Sequence, residues 1–430
     1  MTQHRVVIIG SGFGGLTAAK ALKHAPVDIT LIARTQHHLF QGLLYQVATG
    51  VLSEGEIAPA TRAVLRRQRN VDVMLGDVVD IDLENHTVTS ELLGNTDTTG
   101  YDSLIVAAGA NSSYFGNDHF ADFAPGMKTI DDALEVRGRI IGALELAQRT
   151  TDPDEQRRLL TFTVVGAGPT GVELAGQIVE LTTQTLKDEF RRINQADVRV
   201  VLLDALPTVL TAMGPKLGAL AQRRLQHLGV DIQLGVKVVD VDRDGLTVAD
   251  SDGTTRRIES ACKVWSAGVS ASPLGKKLAD QCGATVDRAG RVEVRPDLTL
   301  PGHPNVFVIG DMALVPGVPG MAQGAIQEGR YAAKAITRRG QNNRAPFRYV
   351  DLGSMAMVSR FCAVVKIGRL EYGGLPGWVS WLGLHLSRMV GFKSKVTTII
   401  SWTATFLTSN RGQLTITEQQ VYARTRAAVD

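Results

Sequence analysis

"VVIIGSGFGGLTAAKAL" occupies residues 6–22, and its three parts decide the architecture. A β-branched run ends at Ile9, glycines stand at Gly10, Gly12, Gly14 and Gly15, and a segment of helical composition follows. Strand, tight turn and helix in that order make the opening βα unit of a dinucleotide-binding fold. Gly10 permits the turn, Gly12 lets the backbone approach a pyrophosphate, and Gly15 lets helix and strand pack closely. The helix start offers free N–H groups and a positive dipole end to the phosphates.

The device recurs at "TFTVVGAGPTGVELAG" (residues 161–176), with Gly166, Gly168 and Gly171 after a second apolar run. Each copy closes on a hydrophobic strand ending in small residues, "SLIVAAGA" (103–110) and "KVWSAGV" (263–269). This is an internal repeat at domain scale, so the fold class is α/β with two Rossmann-type domains and two dinucleotides are expected. After the second turn the next strand ends at Asp204, where a carboxylate accepts from a ribose diol and repels a 2′-phosphate, favouring NADH over NADPH. Its distance from Gly168 exceeds the usual ~20 residues, which predicts a long helix through residues 181–192. At the matching place in the first copy stand Ala33 and Arg34, which suits a permanently held flavin dinucleotide anchored by other contacts. A third element, "NVFVIGDMA" (305–313), delivers Asp311 as an acceptor for sugar-alcohol hydroxyls, and a helix beginning near Met321 could hold negative charge on a reduced flavin ring.

Length and composition agree with this division. A chain of 430 residues exceeds one ordinary core and suits two nucleotide domains plus an appendage. Residues 346–430 carry ten Lys/Arg against four Asp/Glu and three of the four tryptophans, so the basic character is concentrated in the tail. The three cysteines have no paired spacing, so neither a disulfide framework, a zinc site nor a redox dithiol is indicated, and a reducing compartment is expected. The N-terminus enters a strand at once, without signal-peptide character, and no apolar run reaches the ~18–20 residues of a membrane span. Nothing in the charge pattern points to nucleic acid.

The chain resembles the type II NADH dehydrogenases, the non-proton-pumping NADH:quinone oxidoreductases, and most closely their actinobacterial members. The resemblance runs through "GSGFGGLTAAKAL", "HLFQGLLYQVATGVLSEGEIAP", "VVGAGPTGVELAG", "VWSAGV", "VFVIGDMA", "AQGAIQEG" and "GQLTITEQQ" (412–420). It implies non-covalent FAD held by Gly10, Ser11, Gly12, Gly14, Gly15, Asp311 and Ala322, with the segment from Leu43 to Gly50, Ala108 and Gly109 lining the flavin. It implies NADH held by Gly168, Thr170, Gly171, Asp204 and Gly268. Glu173 matches a glutamate the family places near nicotinamide and flavin, and Gln323 and Gln327 match the pair beside the quinone. Gly42 departs from the family's usual proline. The resemblance further implies a homodimer, peripheral on the cytoplasmic face of the inner membrane. On the residues alone, Gln323 and Gln327 equally suit a solvated helix face, and Glu173 in a first helical turn suits the dipole.

Disulfide reductases share the glycine turns but need a paired-cysteine motif, which "FQGLLYQVATG" lacks, while sulfide:quinone oxidoreductases need flavin-side cysteines and no NADH fingerprint, and Cys262 and Cys362 leave them a small share. Soluble flavin-dependent NADH oxidases, ferredoxin-NAD reductases and an NADH-sensing interaction module remain as alternatives. The expected organisation is a split FAD domain (1–112 and 296–345), an NADH domain (113–295) and a C-terminal membrane-association region (346–430).

That region holds "PGWVSWLGLHLSRMVGFKSK" (376–395). A helix over 378–392 would be roughly 22 Å long, too short for a ~30 Å hydrocarbon core. Trp378, Trp381, Leu382, His385, Leu386, Met389 and Val390 share one face of it, which predicts an in-plane membrane helix ending in Lys393 and Lys395. A second anchor is expected at Trp402 in "VTTIISWTATFL" (396–407). The competing expectation is that this face packs on the protein itself.

Overall fold

The strand His4–Ile9 lies third from one edge of a six-stranded sheet, ordered Thr299–Leu300, His303–Val308, Ser103–Val106, His4–Ile9, Val27–Ala33, Val71–Leu75. All neighbours run parallel except the first pair. The computed structural model describes residues 3–187, 189–339 and 344–417, so Glu418, Gln419 and Gln420 of the last resemblance motif lie outside the described residues. It divides into two units.

The first unit comprises Met1–Leu39, Ala58–Asn111 and Val269–Asp351. Parallel central strands are buried on both faces and read as continuous apolar runs. Val7, Ile9, Ile32, Leu104, Val106, Val306 and Val308 accordingly form its core, each contributing about 1.5–3 kcal/mol on burial. The helix Leu274–Cys282 adds Leu274 and Leu278 to that core, so the first unit begins again at Val269 and not near residue 296. Helices Phe13–Ala21 and Ala322–Thr337 pack backbone to backbone: a Cβ on Gly329 would stand 2.4 Å from the Gly14 carbonyl oxygen.

The second unit comprises Phe40–Ile57, Ser112–Gly268 and Leu352–Asp430. Its parallel sheet is ordered Val230–Leu234, Arg199–Asp204, Thr161–Val165, Cys262–Trp265. The helix Pro169–Glu180 follows the glycine turn, but the continuation expected through residues 181–192 stops in a wide turn, Leu181–Thr185. There the hydroxyls of Thr182 and Thr183 donate to the carbonyls of Ile178 and Val179, competing with the helical backbone.

The tail is no separate layer in this unit. Strands Ser354–Ser359, Cys362–Ile367 and Leu370–Gly374 form an antiparallel meander, and a Cβ on Gly176 would come 2.0 Å from the Val358 carbonyl oxygen. Two helices follow, Leu375–Arg388 and Phe392–Thr408, and none of the described helices is long and apolar enough to cross a membrane. The tryptophan face expected to meet lipid faces inward instead. Trp381 is 0% exposed and stacks on His385 with ring centroids 4.1 Å apart, while buried Trp402 donates its indole N–H to Gln46 Oε1 at 2.7 Å. Trp378 and Leu382 are half-buried, Trp378 packing edge-on to Phe361 and Phe406. Packing won because the strand meander and the second helix offer the large rings more apolar surface than solvent does.

Candidate nucleotide sites

In the first unit the glycine turn is closed on two sides and open on the third. Gly10 has φ +97°, and a Cβ there would stand 2.3 Å from the Ala107 carbonyl oxygen; at Gly15 it would stand 1.9 Å from the Gly10 carbonyl oxygen. At Gly12, which caps the helix Phe13–Ala21, a Cβ would meet nothing within 4 Å, and the same holds at Gly109. The space a side chain would fill is therefore free where a pyrophosphate must approach. Ser11 is buried and donates its hydroxyl to the His37 carbonyl, while His38 Nδ1 pairs with the Ser11 carbonyl at 2.8 Å, so Ser11 braces the loop.

Asp311 sits in the short turn Gly310–Met312 beside Gly320, whose absent Cβ would lie 3.5 Å from Asp311 Oδ1. The N–H of Gly310 donates to Glu328 Oε2 at 2.5 Å. Glu328 is 2% exposed; burial, with some repulsion from Asp311, pushes its carboxyl up to about 7 against the bond from Gly310. Sequence reasoning passed over this residue. Its signal was an acid on a helix face otherwise made of small residues, Gly324, Gly329 and Ala332.

The helix Ala322–Thr337 opens on Met321 without a side-chain cap or an acidic first turn, and the Gly324 N–H turns back to the Met321 carbonyl at 3.0 Å. Gln327 exchanges two hydrogen bonds with the Val350 backbone, Nε2 to O at 2.8 Å and N to Oε1 at 3.0 Å, and Gln323 Nε2 donates to Asp351 at 3.4 Å. The two glutamines thus share a face, and residues 350–351 lie along it.

In the second unit the pattern repeats. Gly166 has φ +105° with Ala267 N 2.7 Å from a would-be Cβ; Gly171 would clash with the Gly166 carbonyl at 1.7 Å; Gly168 is open. Half-buried Thr170 follows Pro169 in the first helical turn. Asp204 Oδ2 accepts from Ala167 N–H at 2.5 Å and Oδ1 from Leu206 N–H at 2.8 Å, joining strand end to glycine turn. A carboxylate has about four acceptor positions, so a ribose diol has room beside these two. Leu43 and Tyr45 are fully buried in this unit. A Cβ on Gly42 would meet His385 and Phe40 only at ordinary contact distance, so space does not demand glycine there.

Glu173 is buried and accepts from the Met357 N–H at 3.2 Å, and desolvation pushes its carboxyl up to about 8. One helical turn further, Gln177 Nε2 donates to Glu180 Oε2 at 2.8 Å, and Arg360 N–H donates to Glu180 Oε1 at 2.7 Å. Arg411 is buried with them, donating to the carbonyls of Thr49 and Gln177 at 2.7 and 3.2 Å; burial brings its guanidinium down to about 10, opposed by Glu180. Neither Glu180 nor Arg411 was expected from the sequence, because their placement depends on where the tail returns, whereas Tyr45 lies within the segment expected to line the flavin.

A family model described as pyridine nucleotide-disulphide oxidoreductase matches residues 4–329, and this is the class that two such glycine turns on two parallel sheets define. Over 428 residues the chain is 67% identical to the type II NADH:quinone oxidoreductase Ndh of Mycobacterium tuberculosis, covering 99% of this chain and 92% of that one. It is 60% identical to NdhA of the same organism, covering 98% and 91%. The fold matches that of NDH2 from Plasmodium falciparum in complex with NADH, with a TM-score of 0.87 at 19% identity over 96% of this chain and 99% of that one. The chain belongs to the type II NADH:quinone oxidoreductases.

Proposed function

We propose that this protein oxidises NADH and delivers the two electrons through non-covalently bound FAD to a membrane quinone, without pumping protons. The observation that carries the reading is the open side of both glycine turns. At Gly12 and at Gly168 the missing side chain leaves free space directly before a helix start, while the flanking glycines are locked by backbone. Bound FAD supplies the ring that accepts electrons from NADH and yields them to the quinone.

The chain's own residues do the rest. The Gly12 turn and the first turn of Phe13–Ala21 hold the FAD pyrophosphate, and Asp311, braced through Gly310 by Glu328, accepts from the sugar-alcohol chain. Gly168, Thr170 and Gly171 hold the NADH pyrophosphate, and Asp204 holds the adenosine ribose and disfavours NADPH. Glu173, on the helix that follows the NADH turn, has a carboxyl raised by burial to about 8 and would serve as a proton-holding group there. Gln323 and Gln327, whose amides bond to residues 350–351, would line the quinone side from the helix Ala322–Thr337.

The membrane face is the outer side of the tail helices, where Leu375, Val379, Leu384, Phe392, Ile400 and Leu407 are all exposed. Phe392 and Leu407 are 84% and 78% exposed, and Arg388 and Lys393 stand beside this surface to meet anionic headgroups. Such a face holds the enzyme peripherally on the cytoplasmic side of the inner membrane.

The test is NADH oxidation by purified, FAD-loaded protein with a water-soluble quinone, compared with NADPH and with oxygen alone. Quinone-dependent turnover preferring NADH is expected. Turnover with oxygen only would favour a soluble oxidase.

A further inference from the structure

Resting on the NADH site just proposed, we infer that Phe115 is a substrate-contacting residue, its ring forming a wall for the nicotinamide half of NADH. The strand order of the second unit sets the direction. Thr161–Val165 feeds the glycine turn, with Arg199–Asp204 on one side of it and Cys262–Trp265 on the other. A dinucleotide lying across the strand ends places its pyrophosphate over that turn and its two nucleosides to either side. Asp204 takes the adenosine ribose, so the nicotinamide half extends past Ser266 toward Gly268.

Phe115 stands there. It is 68% exposed, yet its ring tip reaches Gly268, where a Cβ would lie 2.5 Å from Phe115 Cζ; Gly268 itself has φ +72°. The backbone of Phe115 is left-handed, with φ +54°, in a turn that Asn117 N–H closes onto the Tyr114 carbonyl at 3.1 Å and that continues through Gly116 at φ +89°. Asparagine and glycine favour such a position, and a bulky aromatic takes it only at a cost. The turn is held firmly. Buried Tyr114 donates its hydroxyl to the Ala124 carbonyl at 2.9 Å and packs on Trp265, whose indole N–H donates to the Ser113 carbonyl at 2.9 Å. The Phe115 ring makes a tilted contact with Trp265, centroids 6.4 Å apart, and still leaves most of its surface exposed on a left-handed turn beside a glycine-lined strand end. A flat ring there packs against a flat heteroaromatic ligand.

The test compares FAD-loaded wild-type protein with Phe115→Ala and Phe115→Tyr. Phe115→Ala is expected to raise the KM for NADH and weaken NAD⁺ binding by calorimetry about five- to tenfold. Inhibition by ADP, which lacks the nicotinamide half, should stay unchanged, and Phe115→Tyr should restore NADH binding. Equal KM values for wild type and Phe115→Ala, or a loss shared equally by ADP, would overturn the inference while leaving the NADH site standing. If the wild-type protein turned over no NADH, the reading of the site would fall and this inference with it.

Discussion

Glu328 accepts a hydrogen bond from the backbone N–H of Gly310, the residue immediately before Asp311. A buried carboxyl on one helix thereby fixes the turn that presents the proposed flavin ligand. Replacing it with alanine leaves that N–H unpaired and opens a void, costing about 2–4 kcal/mol. Purified Glu328→Ala should carry less FAD per chain, read from the flavin absorbance of gel-filtered protein. Glu328→Gln keeps an acceptor and should retain the cofactor. The carboxyl's value is raised from 4.5 to about 7, so its favourable contribution to the fold is full below about 4.5 and is lost as pH rises through about 7. Thermal melts from pH 5 to 8 should therefore decline less for Glu328→Gln than for wild type. Parallel declines would remove Glu328 from the titration.

Glu173 follows the same sign at a higher value. With its carboxyl raised to about 8 by burial, its proton is lost in the unfolded chain near 4.5 and in the folded chain only near 8. Stability from this group is present at acidic pH and disappears as pH climbs through 8. Glu173→Gln retains an acceptor for the Met357 N–H and removes the ionisation. The wild-type rate with a soluble quinone should fall above pH 8, and Glu173→Gln should flatten that limb. An unaltered limb would separate Glu173 from turnover.

Arg411 and Glu180 are buried together, and neither has solvent to fall back on. Removing the guanidinium alone, as in Arg411→Met, should destabilise the protein by about 3–5 kcal/mol because the buried carbonyls of Thr49 and Gln177 lose their donor and Glu180 loses a neighbouring buried cation. Arg411→Met with Glu180→Gln should recover much of that loss. Urea unfolding of the two singles and the double gives the coupling, and strictly additive losses would show that the pair does not interact.

Both glycine turns were legible in the sequence because the constraint on each is local: a Cβ at Gly10, Gly15, Gly166 or Gly171 would collide with backbone only a few residues away or across one strand. Asp204 was legible for the same reason, being the last residue of the strand beside the turn. The division of the chain was less so. Residues 269–295 carry alternation and helix signals that suit either unit, and only the entry of Leu274 and Leu278 into the core that holds Val7 and Leu104 assigns them to the first. The tail was misread at one point. Its first helix is apolar on two faces, and periodicity cannot say which faces the protein when Trp381 and His385 lie on one, Leu375 and Val379 on the other. The answer depends on Trp402 and on the Gln46 amide, which are remote in sequence.

That reversal gives the sharpest test of the proposed membrane face. Trp381→Ala removes a wholly buried ring and should cost about 3–5 kcal/mol, lowering expression and melting temperature together with activity. Phe392→Ser, Ile400→Ser and Leu407→Ser, combined in one chain, touch only exposed positions and should leave melting temperature and soluble-quinone kcat nearly unchanged. The same triple variant should lose sedimentation with anionic liposomes and turnover of a long-chain quinone embedded in them, since apolar contact and headgroup charge together make such binding. If the triple variant stays bound while milder changes at Trp378 or Leu382 release the protein, lipid meets the inner face after all, and the tail helices must open to bring it there.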